Sequence, residues 1–415
     1  MLKISKLYEN IFSLISLRGL EYILNFILYP YLLRTIGVDR FGEIAFTQAI
    51  IQYFIILIEY GFNMTAPRDI AKNFLDKNKV KEIFSNVLAC KLLILIGITT
   101  TTIFVYFMLV NIYNNYINVL LFLAMYISVI GNVIFPIWFF QGIQEMRYIT
   151  LINILSRVIV LILIFLFVKT SDDYIIAAFF QSITIFIAGI FSFIILIKKY
   201  KYVFILPNVK VMKVYMKEGW SVFLSTIAIN IYTSTNIVLL GVFSNSIIVG
   251  YYSTANKIID CVRGLMNAIT QAIYPYISNR LKELKKENSI LIKRIRNGYC
   301  GLCCFISIFI YFFSEYIIII LFGESYRESV FLLKMMSVIP FIVSISNIYG
   351  IQIMMNFGYQ KEFSKIIILA AIIDLVMVFP MVFILKAEGI IITSILVEFI
   401  VTILTVFFVK KNEVI

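Results

Sequence analysis

The stretch Asn25–Arg68, NFILYPYLLRTIGVDRFGEIAFTQAIIQYFIILIEYGFNMTAPR, decides the fold. Two apolar runs flank a short turn marked by Gly37 and Gly42. Each run reaches the roughly 20 residues that cross about 30 Å of hydrocarbon. Runs of this kind recur from one end of the chain to the other. Apolar residues make up 61% of 415, and the mean hydropathy is +0.97. A soluble core cannot use that much apolar surface, whereas a bilayer requires it. The chain reads as an all-α, polytopic membrane protein, so its few charges at membrane depth become the main pointers to function.

Working outward from that stretch, apolar runs between polar breaks give about twelve spans. They lie near 11–36, 42–66, 83–110, 116–140, 149–168, 174–197, 219–243, 247–273, 297–322, 329–355, 364–385 and 389–409. The polar stretches between them are too short to build a soluble core. Met1–Phe12 is basic and leads into apolar residues, as a signal peptide does. Arg18, Glu21 and Asn25 interrupt the run and no small-residue cleavage site follows, so it reads as an uncleaved first span.

Lys and Arg number 36 against 23 Asp and Glu, a formal charge of +13. In a soluble protein that balance points to nucleic acid. Here the positive-inside rule accounts for it, and no nucleic-acid partner is expected. The cations concentrate in the loops near 67–82, 198–218 and 274–296, which fall on one side if the span count holds. The opposite loops carry only Arg40, Lys169, Arg327 and Lys386. Both termini are expected on the cytoplasmic face of a bacterial inner membrane.

The polar linker 201–218 sits near the midpoint and predicts two lobes of about six helices each, 1–200 and 219–415. After the first span of each half comes a Gly-marked turn, IGVDRFGEIAFTQA at Ile36–Ala49 and LGVFSNSIIVGYYSTA at Leu240–Ala255. An even number of spans per half makes such repeats parallel, and transporters built this way bind substrate between the halves.

There is no histidine, which removes His-based metal sites, general bases and proton relays. Cys300 and Cys303 form a C-x-x-C within an apolar run and read as small packing residues. No P-loop and no Ser/His/Asp set occurs, so no catalytic residue, metal or cofactor is expected beyond a coupling Na⁺ or H⁺.

A charge at the bilayer centre costs about 2.5–3.5 kcal/mol on insertion scales. The deep cations are Arg18, Lys91, Arg157, Lys257 and Arg263, and the embedded anions include Glu21, Glu59, Asp260, Asp374 and Glu398. Spacings of three and four put Asn256, Asp260, Arg263, Asn267 and Gln271 on one helical stripe, and Arg18, Glu21 and Asn25 on another. Structural pairing or snorkelling is the alternative for these residues, and it weighs most for Lys91 and Arg157, nearer span ends. Cations lining a buried cavity suit an anionic group such as phosphate, so the five cations are the expected substrate contacts. Glu21, Asn25, Glu59, Asp260 and Asn267 are the expected polar or coupling positions.

The chain resembles the Wzx-type, or O-antigen, flippases of the multidrug/oligosaccharidyl-lipid/polysaccharide (MOP) exporter superfamily. The likeness is strongest in the Pro30–Tyr31–Leu32 run, the turn through Gly37 and Phe41–Gly42, and Glu59–Tyr60–Gly61–Phe62 followed by Ala66–Arg68. A second match is PIWFFQGIQEMRYI at Pro136–Ile149. The resemblance implies two six-helix lobes in a V around a central cavity. It implies export of undecaprenyl-diphosphate-linked oligosaccharide to the outer leaflet by ion-coupled alternating access. A polysaccharide polymerase and chain-length machinery would be partners. Within the superfamily, a lipid II flippase usually carries two further C-terminal helices, whereas this chain is read as ending after its twelfth. A multidrug/cation antiporter would prefer acidic cavity groups. A membrane-embedded glycosyltransferase would need a catalytic site and a large outer loop, and neither is visible.

Overall fold

The structure, a computed structural model, describes the backbone of residues 2–110, 118–200, 204–281 and 286–412. Side chains are described from residue 24 onward, except for 106–117, most of 271–292 and a few positions between 221 and 234. Among the described residues the elements are all helical. Eight stretches are long and apolar enough to cross a membrane. Two of them, of 49 and 52 residues, belong to helices that break internally. Gly37 breaks α1 (Leu2–Glu59) with a φ of 77°, and Lys386 breaks α13 (Gln360–Lys411) with a φ of 49°. Positive φ ends a right-handed helix, and it is easy for glycine and strained for lysine. These breaks fall where the hydropathy pattern ends one span and begins the next.

The chain packs into two units. The first comprises Met1–Ile36 and Thr47–Ile227; the second comprises Gly37–Phe46 and Ala228–Ile415. The linker predicted at 201–218 therefore lies inside the first unit, and the segment 37–46, helical after Gly37, lies inside the second.

The first unit contains the membrane parts of α1, then α2 (Phe62–Lys72), α3 (Lys77–Val110), α4 (Val119–Ile134), α5 (Ile137–Gly142), α6 (Met146–Phe167), α7 (Tyr174–Tyr200) and the start of α8 (Val209–Phe243). Asn118 starts α4 by accepting from the N–H groups of Leu120 and Leu121 at 3.1 and 3.2 Å. The most extensive helix pairing among the described residues joins α4 to α7. A Cβ on Gly131 would lie 2.5 Å from a methyl of Ile185, and one on Gly189 would lie 2.6 Å from Ile134. Small residues at such crossings replace the hydrophobic drive that a bilayer cannot supply. At one end Trp138, Phe139 and Phe140 are wholly buried, with Phe84 centred 5.3 Å from Trp138 and 5.5 Å from Phe139. The linker is tied to this end: Ile205 N–H donates to Ser85 Oγ at 3.0 Å and Asn208 N–H to Asn86 Oδ1 at 2.8 Å. Arg68 closes the same region with a 2.6 Å ion pair to Glu218 at the start of α8.

The second unit contains the rest of α8, then α9 (Ser246–Leu281), α10 (Lys286–Phe322), α11 (Glu328–Met336), α12 (Ile339–Ser346), a π-helical segment Asn347–Met354, and α13. Its core includes Met266, Tyr299, Cys303, Ile348, Met354 and Val409. Cys300 and Cys303 are free thiols packed among these residues. The segment 37–46 is seated on the α8–α9 corner. Ser246 donates to Asp39, and a Cβ on Gly42 would stand only 1.7 Å from the Ser246 carbonyl oxygen. The site tolerates no side chain at that position.

Candidate functional site

Inside the first unit, α1, α6 and α7 enclose a cavity of about 300 Å³. Each helix supplies residues at three- or four-residue spacing, which places them on one face. α1 gives Asn25, Leu28 and Tyr29 before its break and Gln48 after it. α6 gives Asn153 and Arg157, four apart, and α7 gives Gln181 and Thr184, three apart. Leu24, Val160, Leu161 and Ile185 supply the apolar part of the wall. Among the described residues the polar lining is thus four carboxamides, a hydroxyl, a phenol and a guanidinium.

Arg157 is half-buried, and its Nη1 approaches Asn25 Oδ1 at 3.5 Å. Asn153 turns its amide N–H₂ back to the Ile149 carbonyl at 2.9 Å, so its Oδ1 is left as an acceptor. Thr184 donates to the Phe180 carbonyl at 3.2 Å. The α1 wall is pinned by Tyr31, whose hydroxyl donates to the Val168 carbonyl at 2.6 Å and whose ring lies 4.4 Å from that of Phe165. The described lining residues can therefore offer hydrogen-bond donors and acceptors together with the Arg157 guanidinium.

Of the residues expected from the sequence, this cavity brings together Asn25 and Arg157. Lys91 goes elsewhere in the unit. It is 1% exposed, donates to the Asn132 carbonyl at 3.1 Å and feels the charge of Glu59, which is hydrogen-bonded by Asn63. The side chains of Arg18 and Glu21 lie outside the described residues. Lys257, Asp260, Arg263 and Asn267 belong to the second unit, on α9. There Asn256 donates to Asp260 at 3.0 Å and Arg263 stands 3.7 Å from the same carboxylate. Lys257 is half-buried, and Asp260 and Asn267 are exposed.

The sequence reading passed over two groups. Asn153, Gln181 and Thr184 carry no charge and sit singly in apolar runs; only their helical spacing relative to Arg157 and to each other could have drawn them out. The second is Asp374, grouped with the embedded anions but not with the site. It is 1% exposed, and neither carboxylate oxygen finds a hydrogen-bond partner among the described residues. Glu398, beyond the Lys386 break in α13, adds a like charge nearby. No group of three or more His, Cys, Asp or Glu that could hold a metal occurs among the described residues.

Comparison with known proteins identifies the family and the fold. Residues 7–280 match the family model described as "Polysaccharide biosynthesis protein". A protein of Escherichia coli (strain K12) named as a candidate O-antigen transporter is 37% identical over 410 residues, 98% of this chain and 97% of the relative. A like-named protein of Shigella dysenteriae is 31% identical over 391 residues, 94% of this chain and 96% of the relative. Among solved structures, an inward-facing multidrug resistance MATE family transporter of the MOP superfamily superposes with a TM-score of 0.72 at 16% identity, covering 96% of this chain and 94% of the other. The lipid II flippase MurJ, in an inward closed conformation, gives 0.74 at 15% identity, covering 96% and 87%. These two likenesses concern the fold. The chain belongs to the polysaccharide biosynthesis protein family, as a multi-pass membrane protein on the fold of the MOP-superfamily transporters.

Proposed function

We propose that this protein is a flippase, not an enzyme. It would carry a lipid-linked oligosaccharide, an O-antigen or other polysaccharide repeat unit on a prenyl diphosphate, from the cytoplasmic to the outer leaflet of the bacterial inner membrane. The observation that carries this reading is 37% identity over nearly the full length of both chains to the E. coli candidate O-antigen transporter. The polar cavity within the first unit supports it, because buried amides and a guanidinium at membrane depth cost stability unless they serve a polar ligand. A lipid II flippase shares the fold but not the sequence, at 15% identity.

Movement would be driven by a Na⁺ or H⁺ gradient. Asp374 is the residue we assign to coupling, because a buried carboxylate without a hydrogen-bond donor is stable only with a cation or a proton beside it. The glycan would then pass to a polysaccharide polymerase and chain-length machinery. Deleting the gene in its own host tests the assignment. Surface polysaccharide should disappear while lipid-linked repeat units accumulate on the cytoplasmic leaflet. Unaltered surface polysaccharide in the deletion strain would reject it.

A further inference from the structure

The first turns of α8 carry Lys210, Lys213 and Lys217, all exposed. Spacings of three and four put them on one stripe. That stripe borders a lateral groove of about 310 Å³ within the first unit, between α3 and α8. Leu93 and Ile94 of α3 and Met212 and Met216 of α8 form its walls, and Lys213 stands at its edge. The groove lies where membrane segments end. The Cys90 thiol approaches the Met212 carbonyl at 3.9 Å, and a Cβ on Gly219 would stand 2.6 Å from the Tyr60 carbonyl oxygen, just past the end of α1 at Glu59. Trp220 is exposed and centred 6.3 Å from Tyr60, a pairing of the kind found at membrane–water boundaries. Just before the groove, Leu206 is 92% exposed, on a linker held to α3 through Ile205 and Asn208. An apolar side chain presented so firmly beside lysines is unfavourable in water and favourable in a headgroup layer.

We propose that the α3–α8 groove is a binding site for an anionic phospholipid of the lysine-rich, cytoplasmic leaflet. One acyl chain lies between Leu93, Ile94, Met212 and Met216, and the phosphodiester sits under Lys210, Lys213 and Lys217. Helix side chains lean towards the N-terminus, which for α8 is the end away from the bilayer, so the ammonium groups reach headgroup level while their stems cover the groove edge. Methionines fill irregular gaps and adapt to a chain that moves. Lysines act as mobile point charges, which suits a single phosphodiester, and basic clusters beside a membrane helix attract anionic lipid. The walls are aliphatic or sulfur-bearing. A glycan would find nothing to bond there, whereas an acyl chain needs nothing more, so the occupant is a phospholipid and not the glycosylated carrier.

The test is competitive native mass spectrometry on the full-length protein with phosphatidylglycerol, phosphatidylethanolamine of the same acyl chains, and undecaprenyl diphosphate. Wild type should retain phosphatidylglycerol in preference to phosphatidylethanolamine. A lysine near an anionic surface is worth about fivefold, so the variant Lys210→Gln/Lys213→Gln/Lys217→Gln should bind phosphatidylglycerol about twentyfold more weakly if two of the three reach the phosphate. Its binding of phosphatidylethanolamine should not change. Lys210→Arg/Lys213→Arg/Lys217→Arg keeps the charge and should bind as wild type, which separates lost affinity from lost folding. Leu93→Trp, at a position 60% exposed, fills the groove with all three lysines in place and should also weaken phosphatidylglycerol severalfold. A glutamine variant that holds phosphatidylglycerol like wild type would overturn the proposal. So would an arginine variant that loses it, because the effect would not be one of charge. Unchanged binding by Leu93→Trp would do the same, since the lysines would then act as diffuse surface charge without a groove. Undecaprenyl diphosphate that displaces phosphatidylglycerol from wild type, and is itself weakened by both the glutamine and the Leu93→Trp changes, would give the groove to the carrier lipid and overturn the choice of occupant.

Discussion

Replacing Lys91 by methionine separates a structural charge from a substrate contact. Lys91 is 1% exposed, its ammonium bonds to the Asn132 carbonyl on α4 at 3.1 Å, and Glu59 at the end of α1 is its electrostatic counterpart. Methionine conserves most of the volume, so cavity formation contributes little. Two losses follow. The Asn132 carbonyl loses a charge-assisted donor, and Glu59 keeps Asn63 but loses its cation. Glu59 acts on Lys91 through its charge at a distance and is itself only half-buried, so the stranded carbonyl sets the scale: leaving a buried acceptor without its donor costs about 1–3 kcal/mol. Adding Glu59→Gln removes the remaining uncompensated charge and should return a minor part of that loss. The assay is unfolding of the purified protein in detergent, followed by urea-gradient fluorescence of Trp138 and Trp220, beside transport in cells corrected for folded protein. Expected are a destabilised single variant, a slightly more stable double variant, and near-normal transport per folded molecule in both. A Lys91→Met protein as stable as wild type yet inactive would refute the reasoning and return Lys91 to the substrate path.

Other predictions follow from single contacts. Gly131→Val should destabilise the protein by about 1–3 kcal/mol through overpacking, because even a Cβ there meets Ile185 at 2.5 Å and the Phe186 nitrogen at 2.7 Å; unaltered unfolding would mean that the α4–α7 crossing is looser than described. Asp374→Asn should leave binding of lipid-linked oligosaccharide intact and abolish the dependence of transport on an imposed Na⁺ or H⁺ gradient, so gradient-driven transport at the wild-type rate would remove Asp374 from coupling. Glu218→Gln should change stability by less than about 1 kcal/mol, since its 2.6 Å pair with Arg68 is solvent-exposed, and a larger effect would show that the pair anchors the linker. Cysteine placed at Lys79 or Lys210 should react with impermeant reagent only from the cytoplasmic side; labelling from outside would overturn the positive-inside orientation.

Much of the fold was legible because a bilayer makes hydropathy nearly a one-dimensional code. The turn at Gly37 and the break at Lys386 fall where the apolar runs part. Unit membership was less legible. The segment 37–46 joins the second unit because Gly42 and Gly250 let backbones approach within reach of the Ser246 and Val38 carbonyls, and no periodicity announces such a docking. For the site, charge drew attention to residues that the structure puts to different uses. Arg157 reaches the cavity, whereas Lys91 is buried among helices at 1% exposure. The uncharged amides Asn153 and Gln181 gave no hydropathy signal large enough to notice, yet they form most of the polar wall together with Asn25 and Gln48. Neutral polar residues in a membrane helix usually bond to neighbouring helices or to their own backbone, so only their convergence in space distinguishes a binding set.

The flippase assignment is tested most directly by reconstitution. The purified protein would be placed in proteoliposomes carrying a fluorescent undecaprenyl-diphosphate-linked oligosaccharide, and dithionite would quench only the outer leaflet. With the protein and an imposed ion gradient, label initially protected in the inner leaflet should become accessible, and more slowly when the gradient is collapsed. Label that stays as protected as in protein-free vesicles, under every gradient imposed, would contradict the account.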